Sequence, residues 1–180
     1  MTGYGWVTLG ASDSVTTPTC GAAEAPITSA SLCLGTTHWN IATALCVTGT
    51  VPALPVSPTQ PDRNNNWGIQ VGVNAAEPNQ AIGKSFGSIT VNATGLPSSG
   101  ARVELHRSVD AAGTTYCSNS FVSGTPIALT SFNTSCWDNS GTALTTGDVA
   151  KIDEVGIQVS STNTAITVTD LCMTSIVFGP

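Results

Sequence analysis

Two stretches of this chain alternate apolar and polar residues with a period of two. Residues 67–74 read WGIQVGVN and residues 155–161 read VGIQVSS, so the unit Gly-Ile-Gln-Val occurs twice. Successive side chains of a β-strand point to opposite faces of its sheet, whereas one face of a helix recurs about every 3.6 residues. Both stretches therefore predict strands that have one apolar face and one polar face with a Gln on it.

Short alternating runs, separated by Gly, Pro and Asn turn signals, continue along most of the chain. They predict strands at 44–52, 67–74, 85–94, 101–107, 115–121, 126–131, 155–160, 165–169 and 172–178, with weaker edge strands at 6–9 and 31–34. A helical turn is expected to begin near Thr146 or Asp148, and the proline-rich stretch 53–66 is expected to be a loop.

This arrangement predicts an all-β fold, an antiparallel β-sandwich of the jelly-roll type. The length of 180 residues suits a single domain over residues 1–180. Within that domain, the alternation is weak over residues 1–44, which we expect to be irregular, and strong over residues 45–178, which we expect to form the sandwich core.

The charge content is low and excludes several classes of partner. Only 9% of the residues are charged, against about a quarter in an ordinary soluble domain. The net charge is −6 with five basic residues, so nucleic acid and anionic membrane surfaces are not expected partners. No apolar run approaches the roughly 18 residues of a transmembrane helix, so we expect no membrane span.

Six cysteines stand at positions 20, 33, 46, 117, 136 and 172. An even number of cysteines in a chain of low charge predicts three disulfides and a secreted, extracellular location. Zinc binding is disfavoured because the chain has no Cys-x-x-Cys motif and only two histidines. Several pairings are open, and the preferred set is Cys33–Cys46, Cys117–Cys136 and Cys20–Cys172, which closes two short loops and ties the N-terminal segment to the last strand.

The polar faces of three predicted strands carry planar polar groups with glycines between them. These candidate ligand-binding residues are Gln70 and Asn74 on the first strand, Arg102, Glu104 and His106 on the second, and Gln158 on the third. Amide, carboxylate and guanidinium groups pair well with sugar hydroxyls, and glycines leave space for a flat ligand. The pattern predicts a shallow groove to which two strands of one sheet each contribute a Gln, and a merely solvated outer face is the open alternative.

Several segments resemble the β-jelly-roll carbohydrate-binding modules of bacterial secreted polysaccharide-degrading proteins, in the galactose-binding-like group. The similarity rests on SFGSITVNATG, ARVELHRS, GTPIALTSFNTSCWD and VAKIDEVGIQVSSTNTAITVTDLCMTSIVF, and it covers residues 67–178 but little of residues 1–50. The resemblance implies ligand binding on the concave sheet or at the loops of one end. It also implies that a structural calcium ion is common, for which Asp170 is a candidate ligand.

Two aromatic residues next to cysteines are candidate platforms for a sugar ring, namely Tyr116 and Trp137. An aromatic ring offers a large contact area at a low entropic cost, although each of these rings could instead pack against a disulfide. Residues 83–87 read GKSFG, which matches the nucleophile elbow of serine hydrolases, but a strand follows instead of the helix that the elbow needs. Arg102 and His106 favour the ionised form of Glu104, which suits hydrogen bonding better than acid catalysis.

The sequence therefore predicts a non-catalytic carbohydrate-binding module without a cofactor, and the structural calcium ion is an option that only the resemblance implies. It would bind polysaccharide or oligosaccharide and hold an attached secreted enzyme or cell surface against it, as a monomeric part of a larger multidomain protein. The alternative is an extracellular structural protein, an adhesin or a filament subunit. In that case the first 44 residues would be poorly buried in the monomer and would pair with a neighbouring subunit.

Overall fold

The computed structural model describes residues 3–10, 12–17, 27–28, 33–39, 45–54, 66–75, 80–111 and 114–180. These residues form twelve strands: β1 (Gly3–Leu9), β2 (Ser14–Thr17), β3 (Ile27–Thr28), β4 (Cys33–Trp39), β5 (Leu45–Val51), β6 (Gly68–Asn74), β7 (Ser88–Thr94), β8 (Arg102–Arg107), β9 (Tyr116–Ser118), β10 (Ile127–Ala128), β11 (Ile152–Ser160) and β12 (Ile166–Gly179). Two 3₁₀ turns, Leu129–Ser131 and Thr146–Lys151, complete the described secondary structure. The predicted all-β fold is confirmed.

The strands form two antiparallel six-stranded sheets. Sheet A has the order β4-β1-β6-β11-β8-β9, and sheet B has the order β10-β7-β12-β5-β2-β3. Successive strands change sheet except at β2–β3 and β8–β9, as expected for a double-sheet jelly roll. The apolar faces of both sheets supply one core, which contains the alternating residues Ile69, Val71 and Val73 of β6 and Val155, Ile157 and Val159 of β11.

The two Gly-Ile-Gln-Val strands lie side by side in the centre of sheet A. β6 and β11 are antiparallel, and Gln70 stands directly opposite Gln158 in their ladder. In this register Gly72 also faces Gly156, and the apolar residues Ile69 and Val71 face Val159 and Ile157. The prediction that two strands of one sheet each contribute a Gln to the same face is confirmed.

The N-terminal part is more regular than its sequence suggests, since β1 to β4 all lie within residues 1–44. β1 is not an edge strand, because it pairs with β4 on one side and β6 on the other. Its alternation is masked by small and aromatic residues: Gly5, Val7 and Leu9 share the core side, and Trp6 and Thr8 share the other. The predicted edge strands at 6–9 and 31–34 overlap β1 and β4, whereas β2 and β3 lie where the sequence analysis expected irregular structure.

Three further boundaries differ from the predictions. The predicted strand at 126–131 is a two-residue strand followed by the 3₁₀ turn, and the predicted strand at 115–121 shortens to β9. The two predicted strands at 165–169 and 172–178 are one strand, β12, whose register shifts between Val168 and Leu171. Asp170 adopts a left-handed backbone conformation with φ of 48° at this bulge. The interruption that the sequence analysis interpreted as a turn between two strands is therefore a bulge within one strand. The helical turn predicted near Thr146 is confirmed.

Two disulfides are present among the described residues, Cys46–Cys172 and Cys117–Cys136. The predicted bridge Cys117–Cys136 is confirmed, whereas the predicted bridges Cys33–Cys46 and Cys20–Cys172 are wrong. Cys46 and Cys172 are direct partners in the β5–β12 ladder, with their Cα atoms 3.9 Å apart, which places their side chains together on one face. Cys20 lies outside the described residues.

Candidate functional site

The face of sheet A that points away from the core is the candidate site, and we call it the polar face. Its ladder positions form rows across β1, β6, β11 and β8. The described side chains at these positions are Trp6, Thr8, Gln70, Asn74, Arg102, Glu104, His106, Glu154 and Gln158, with Gly72 and Gly156 between them. Six of the eight residues predicted for ligand binding therefore share one face, and Tyr116 and Trp137 lie elsewhere.

Most of the polar face is buried. The exposed fractions are 9% for Gln70, 3% for Asn74, 4% for Glu104 and 3% for Gln158. The exposed fractions of the Arg102 and His106 side chains are 18% and 16%. A ligand that approaches the folded protein would therefore meet Arg102 and His106 before the other four, and the ligand-binding role of those four stays a prediction.

Trp6 occupies the middle of the polar face, where sequence analysis expected only glycines. It stands opposite Gly72 in the β1–β6 ladder and is 5% exposed. A Cβ atom added at Gly72 would lie 2.3 Å from Trp6 Cζ2, and one added at Gly156 would lie 3.3 Å from Trp6 Cη2. The paired glycines therefore make room for a protein indole.

A continuous hydrogen-bond chain crosses the polar face. Thr8 Oγ1 donates to Gln70 Oε1 over 3.3 Å, and Gln70 Nε2 donates to Glu104 Oε2 over 2.6 Å. Arg102 Nε donates to the other carboxylate oxygen, Oε1, over 2.8 Å. Burial raises the pKa of Glu104, and the adjacent Arg102 guanidinium acts in the opposite direction. Both carboxylate oxygens are thus occupied by protein donors, which makes Glu104 a fixed support for Arg102.

Gln158 supports the start of the neighbouring strand instead of joining this chain. Its Nε2 donates to the backbone oxygen of Trp67 over 3.3 Å, and its Oε1 accepts from Ser160 Oγ over 3.4 Å. Trp67 precedes β6 at Gly68, whose φ of 115° breaks the strand alternation. Trp67 itself is half-buried and is not part of the main apolar cluster.

The opposite end of the polar face holds a second group of titratable residues. His106 Nδ1 lies 2.8 Å from Asp153 Oδ1, and Glu154 stands between Asn74 and His106 in the ladders of β11. Three buried polar atoms on this face have no hydrogen-bond partner: Trp6 Nε1, Asn74 Oδ1 and His106 Nε2. Buried polar atoms are normally paired, so the middle of the face at Trp6 and this end at Asn74 and His106 have unused hydrogen-bonding capacity.

Among the side chains that the structure describes, Trp137 is an exposed aromatic residue next to the polar face. Its exposed fraction is 61%, and the Arg102 guanidinium carbon lies 6.0 Å from its ring centroid. The preceding residue, Cys136, is bonded to Cys117 of β9, and β9 pairs with β8 beside Glu104. Trp137 therefore stands at the β8–β9 edge, where the polar face meets solvent.

Hydrogen bonds fix the loop that carries Trp137. Asn119 Nδ2 donates to the backbone oxygen of Cys136 over 2.7 Å, and Asn133 Nδ2 donates to the backbone oxygen of Gly141 over 3.0 Å. The backbone N–H of Ser135 donates to Asn133 Oδ1, and the backbone N–H of Ser140 donates to Asp138 Oδ1. Turns of this kind restrict a loop locally, so the indole is presented by a rigid support.

Tyr116 belongs to the core. It is 4% exposed and lies in the main apolar cluster, with the Arg107 guanidinium carbon 4.9 Å from its ring centroid. Its position supports the packing alternative that the sequence left open.

Asp170 contacts a threonine. Its Oδ1 accepts from Thr48 Oγ1 over 3.2 Å, and its backbone N–H donates to the same hydroxyl over 3.0 Å. Calcium takes about six to eight oxygen ligands. Within the part of the chain that the structure describes, no three His, Cys, Asp or Glu side chains are grouped to hold a metal ion. The calcium-binding role of Asp170 stays a prediction.

Sequence reasoning missed three residues that shape this site, namely Trp6, Asn119 and Glu154. The parity of β1 could have placed Trp6 on the same side as Thr8, but no pattern in the sequence shows that β1 pairs with β6. Glu154 lies one residue before the predicted start of the strand at 155, and extending that strand would have placed Glu154 on the polar face.

Within the described residues, no helix combines the length and the apolarity needed to cross a membrane. The chain matches no protein-family model, no curated protein sequence and no solved structure.

Proposed function

We propose that this protein is a secreted, non-catalytic carbohydrate-binding module whose ligand stacks on Trp137 and hydrogen-bonds to Arg102. The observation that carries the proposal is the 61% exposure of Trp137 on a loop held by the Cys117–Cys136 disulfide. The ligand is a polysaccharide or oligosaccharide, and the bound module brings an attached enzyme or surface close to it.

An exposed, rigidly held tryptophan suits the recognition of sugars. The apolar C–H face of a sugar ring packs on an indole, and an indole loses little side-chain entropy on contact. Burying the exposed area of Trp137 against a ligand is favourable, at about 25 cal/mol per Å² of apolar surface removed from water. Such a ring on a preorganised loop favours binding because little ordering remains to be done.

Arg102 supplies oriented donors beside the ring. Its Nε is engaged by Glu104, and Glu104 is held by Gln70 and Thr8, so the guanidinium group is fixed from below. A fixed planar guanidinium presents its remaining N–H groups in one direction, which suits the hydroxyl pairs of a sugar. In this proposal, Gln70 and Glu104 are positioning residues and do not touch the ligand.

The disulfides are compatible with the proposed secretion of the protein. Disulfides persist in oxidising compartments, and two of them brace the described sandwich. The alternative function, as an assembling surface subunit, requires a poorly buried N-terminal segment. Val7 and Leu9 of β1 are both 1% exposed within their own sheet, which favours the binding module.

Replacing Trp137 with Ala is expected to weaken polysaccharide binding at least about tenfold, because the stacking platform is removed. The measurement is affinity gel electrophoresis on cellulose derivatives, xylan, mannan, xyloglucan, pectin and β-glucans. Val122→Ala is the matched control, because Val122 is also 61% exposed and carries no aromatic ring. If Trp137→Ala is retarded as strongly as wild type, the proposed site is contradicted. If wild type is not retarded on any of these glycans, the proposed function is contradicted.

Replacing Arg102 with Lys is expected to weaken binding about threefold to tenfold while the charge is kept, because Lys cannot reproduce the planar, fixed donors of Arg. Arg107→Lys is the control. Arg107 is also paired with a carboxylate, Asp110, but it packs on the buried Tyr116 and not on Trp137. Equal retardation of both variants would show that the Arg102 guanidinium does not contact the ligand.

A further inference from the structure

Glu154 is a half-buried carboxyl group, and among the residues that the structure describes it forms no ion pair and no hydrogen bond. It lies on the polar face of β11, directly opposite Asn74 of β6 on one side and His106 of β8 on the other. The ion pairs of the described residues involve other carboxylates, and His106 is taken by Asp153. An ionised carboxylate in a half-buried place loses part of its hydration without gaining a hydrogen bond from the protein, whereas a neutral carboxylic acid loses less.

Asn74 offers what a neutral carboxylic acid needs. Asn74 is 3% exposed, and its Oδ1 is buried without any donor. Residues that are directly opposite in an antiparallel ladder have Cβ atoms about 5 Å apart, so their side chains can meet on the same face. A protonated Glu154 carries one O–H donor, and Asn74 Oδ1 is an unused acceptor at the opposite position.

The other titratable groups around Glu154 do not remove this preference. His106 on β8 lowers the pKa of Glu154, whereas Asp153 on β11 and Glu104 on β8 raise it. Burial is the largest influence, and together these effects raise the pKa of Glu154 to about 7. β6 contributes Asn74 at this row, which does not titrate.

We propose that Glu154 is a neutral carboxylic acid in the folded protein at acidic pH and that its hydroxyl donates to Asn74 Oδ1, which makes the β6–β11 pairing sensitive to protons. When Glu154 ionises, this donor is lost and a charge appears beside Asn74 Oδ1, an acceptor that cannot hydrogen-bond to a carboxylate. The inference does not depend on carbohydrate binding, since Glu154 lies at the opposite end of the polar face from Arg102.

The direction of the pH effect follows from proton linkage. The folded protein binds a proton at Glu154 up to a higher pH than the unfolded chain does, so stability decreases as the pH rises between the ordinary Glu pKa and about 7. At still higher pH both states are ionised at this position, and the loss of stability is complete. A protein that is most stable in mildly acidic surroundings is the expected result.

Replacing Glu154 with Gln tests the proposal, because Gln keeps the shape and a permanent donor but cannot ionise. In wild type the midpoint of urea unfolding is expected to be on the order of 1 M lower at pH 8 than at pH 5. In Glu154→Gln most of this difference is expected to disappear, because the variant is expected to be more stable than wild type at pH 8. Asp138→Asn is the matched control, since hydrogen bonds from Ser140 lower the pKa of Asp138 and its titration ends below pH 5.

A direct readout separates a hydrogen bond to Asn74 from simple burial. The Glu154 carboxyl carbon is followed by NMR from pH 4 to pH 9 in wild type and in Asn74→Ala. If Glu154 donates to Asn74 Oδ1, the Glu154 pKa is elevated in wild type and lower in Asn74→Ala, because the neutral form loses its acceptor. A Glu154 pKa in the ordinary range in wild type, or an increase in Asn74→Ala, would overturn the proposal.

Discussion

Replacing Gly72 with Ala is expected to lower the free energy of unfolding by about 3 kcal/mol, although the change adds one methyl group. The new Cβ would lie 2.3 Å, 2.6 Å and 2.8 Å from three atoms of the Trp6 ring. Trp6 is 5% exposed, so its ring cannot move without losing buried contacts or disturbing the polar face. Urea unfolding, followed by circular dichroism, measures the effect.

A double-mutant cycle with Trp6→Ala tests this reason. In the Trp6→Ala background the same Gly72 substitution is expected to cost little, which gives a coupling energy of about 2 kcal/mol or more. Gly147→Ala is the control, because a Cβ at Gly147 has its nearest contact 3.9 Å away, at Thr145 Oγ1. Additive effects of the two substitutions would show that Trp6 does not lie over Gly72.

Removing the bridge Cys46–Cys172 is expected to lower the free energy of unfolding by about 3–5 kcal/mol in Cys46→Ala/Cys172→Ala. The two cysteines are 126 residues apart, so the bridge restricts a long stretch of the unfolded chain. It also joins β5 to β12, two strands in the middle of sheet B. The measurement is denaturant unfolding of the oxidised variant beside wild type.

The second bridge is the internal comparison. Cys117 and Cys136 are 19 residues apart, and the chain-entropy model assigns this shorter loop about 1–2 kcal/mol less than the long one. Cys117→Ala/Cys136→Ala is therefore expected to unfold at a higher urea concentration than the other pair variant, and also to weaken glycan binding because it frees the Trp137 loop. A larger loss of stability from the short loop would contradict the assigned roles.

Alternation allowed the sandwich and the two faces of β6, β8 and β11 to be predicted, because a period of two is a local property of the chain. It could not show that β1 lies between β4 and β6, since strand pairing depends on contacts between distant residues. For the same reason the disulfide partner of Cys46 could not be predicted, because it is determined by the register of β5 and β12. Choosing the pairing that closes the shortest loop in the sequence gave the wrong partner.

The candidate site was predicted in part. Gln70, Asn74, Glu104 and Gln158 share one face as alternation predicted, but alternation does not reveal whether another part of the protein covers that face. Trp6 fills the space above the glycines, and among the side chains that the structure describes the indole most open to solvent is that of Trp137, one of the two candidate platforms. Exposure is a property of the whole fold, so a single strand could not show which polar residues remain accessible.

The most direct test of carbohydrate binding at this edge is NMR of the indole N–H groups of the four tryptophans during titration with cello-, xylo-, manno- and pectic oligosaccharides. Binding at the proposed site predicts that one of these ligands shifts the Trp137 resonance and the Arg102 Nε–H resonance in a saturable way. The resonance of Trp6, whose Nε1 is buried on the polar face, is expected to stay in place. Saturable shifts confined to other residues would contradict the site, and unchanged spectra with every oligosaccharide would contradict the function itself.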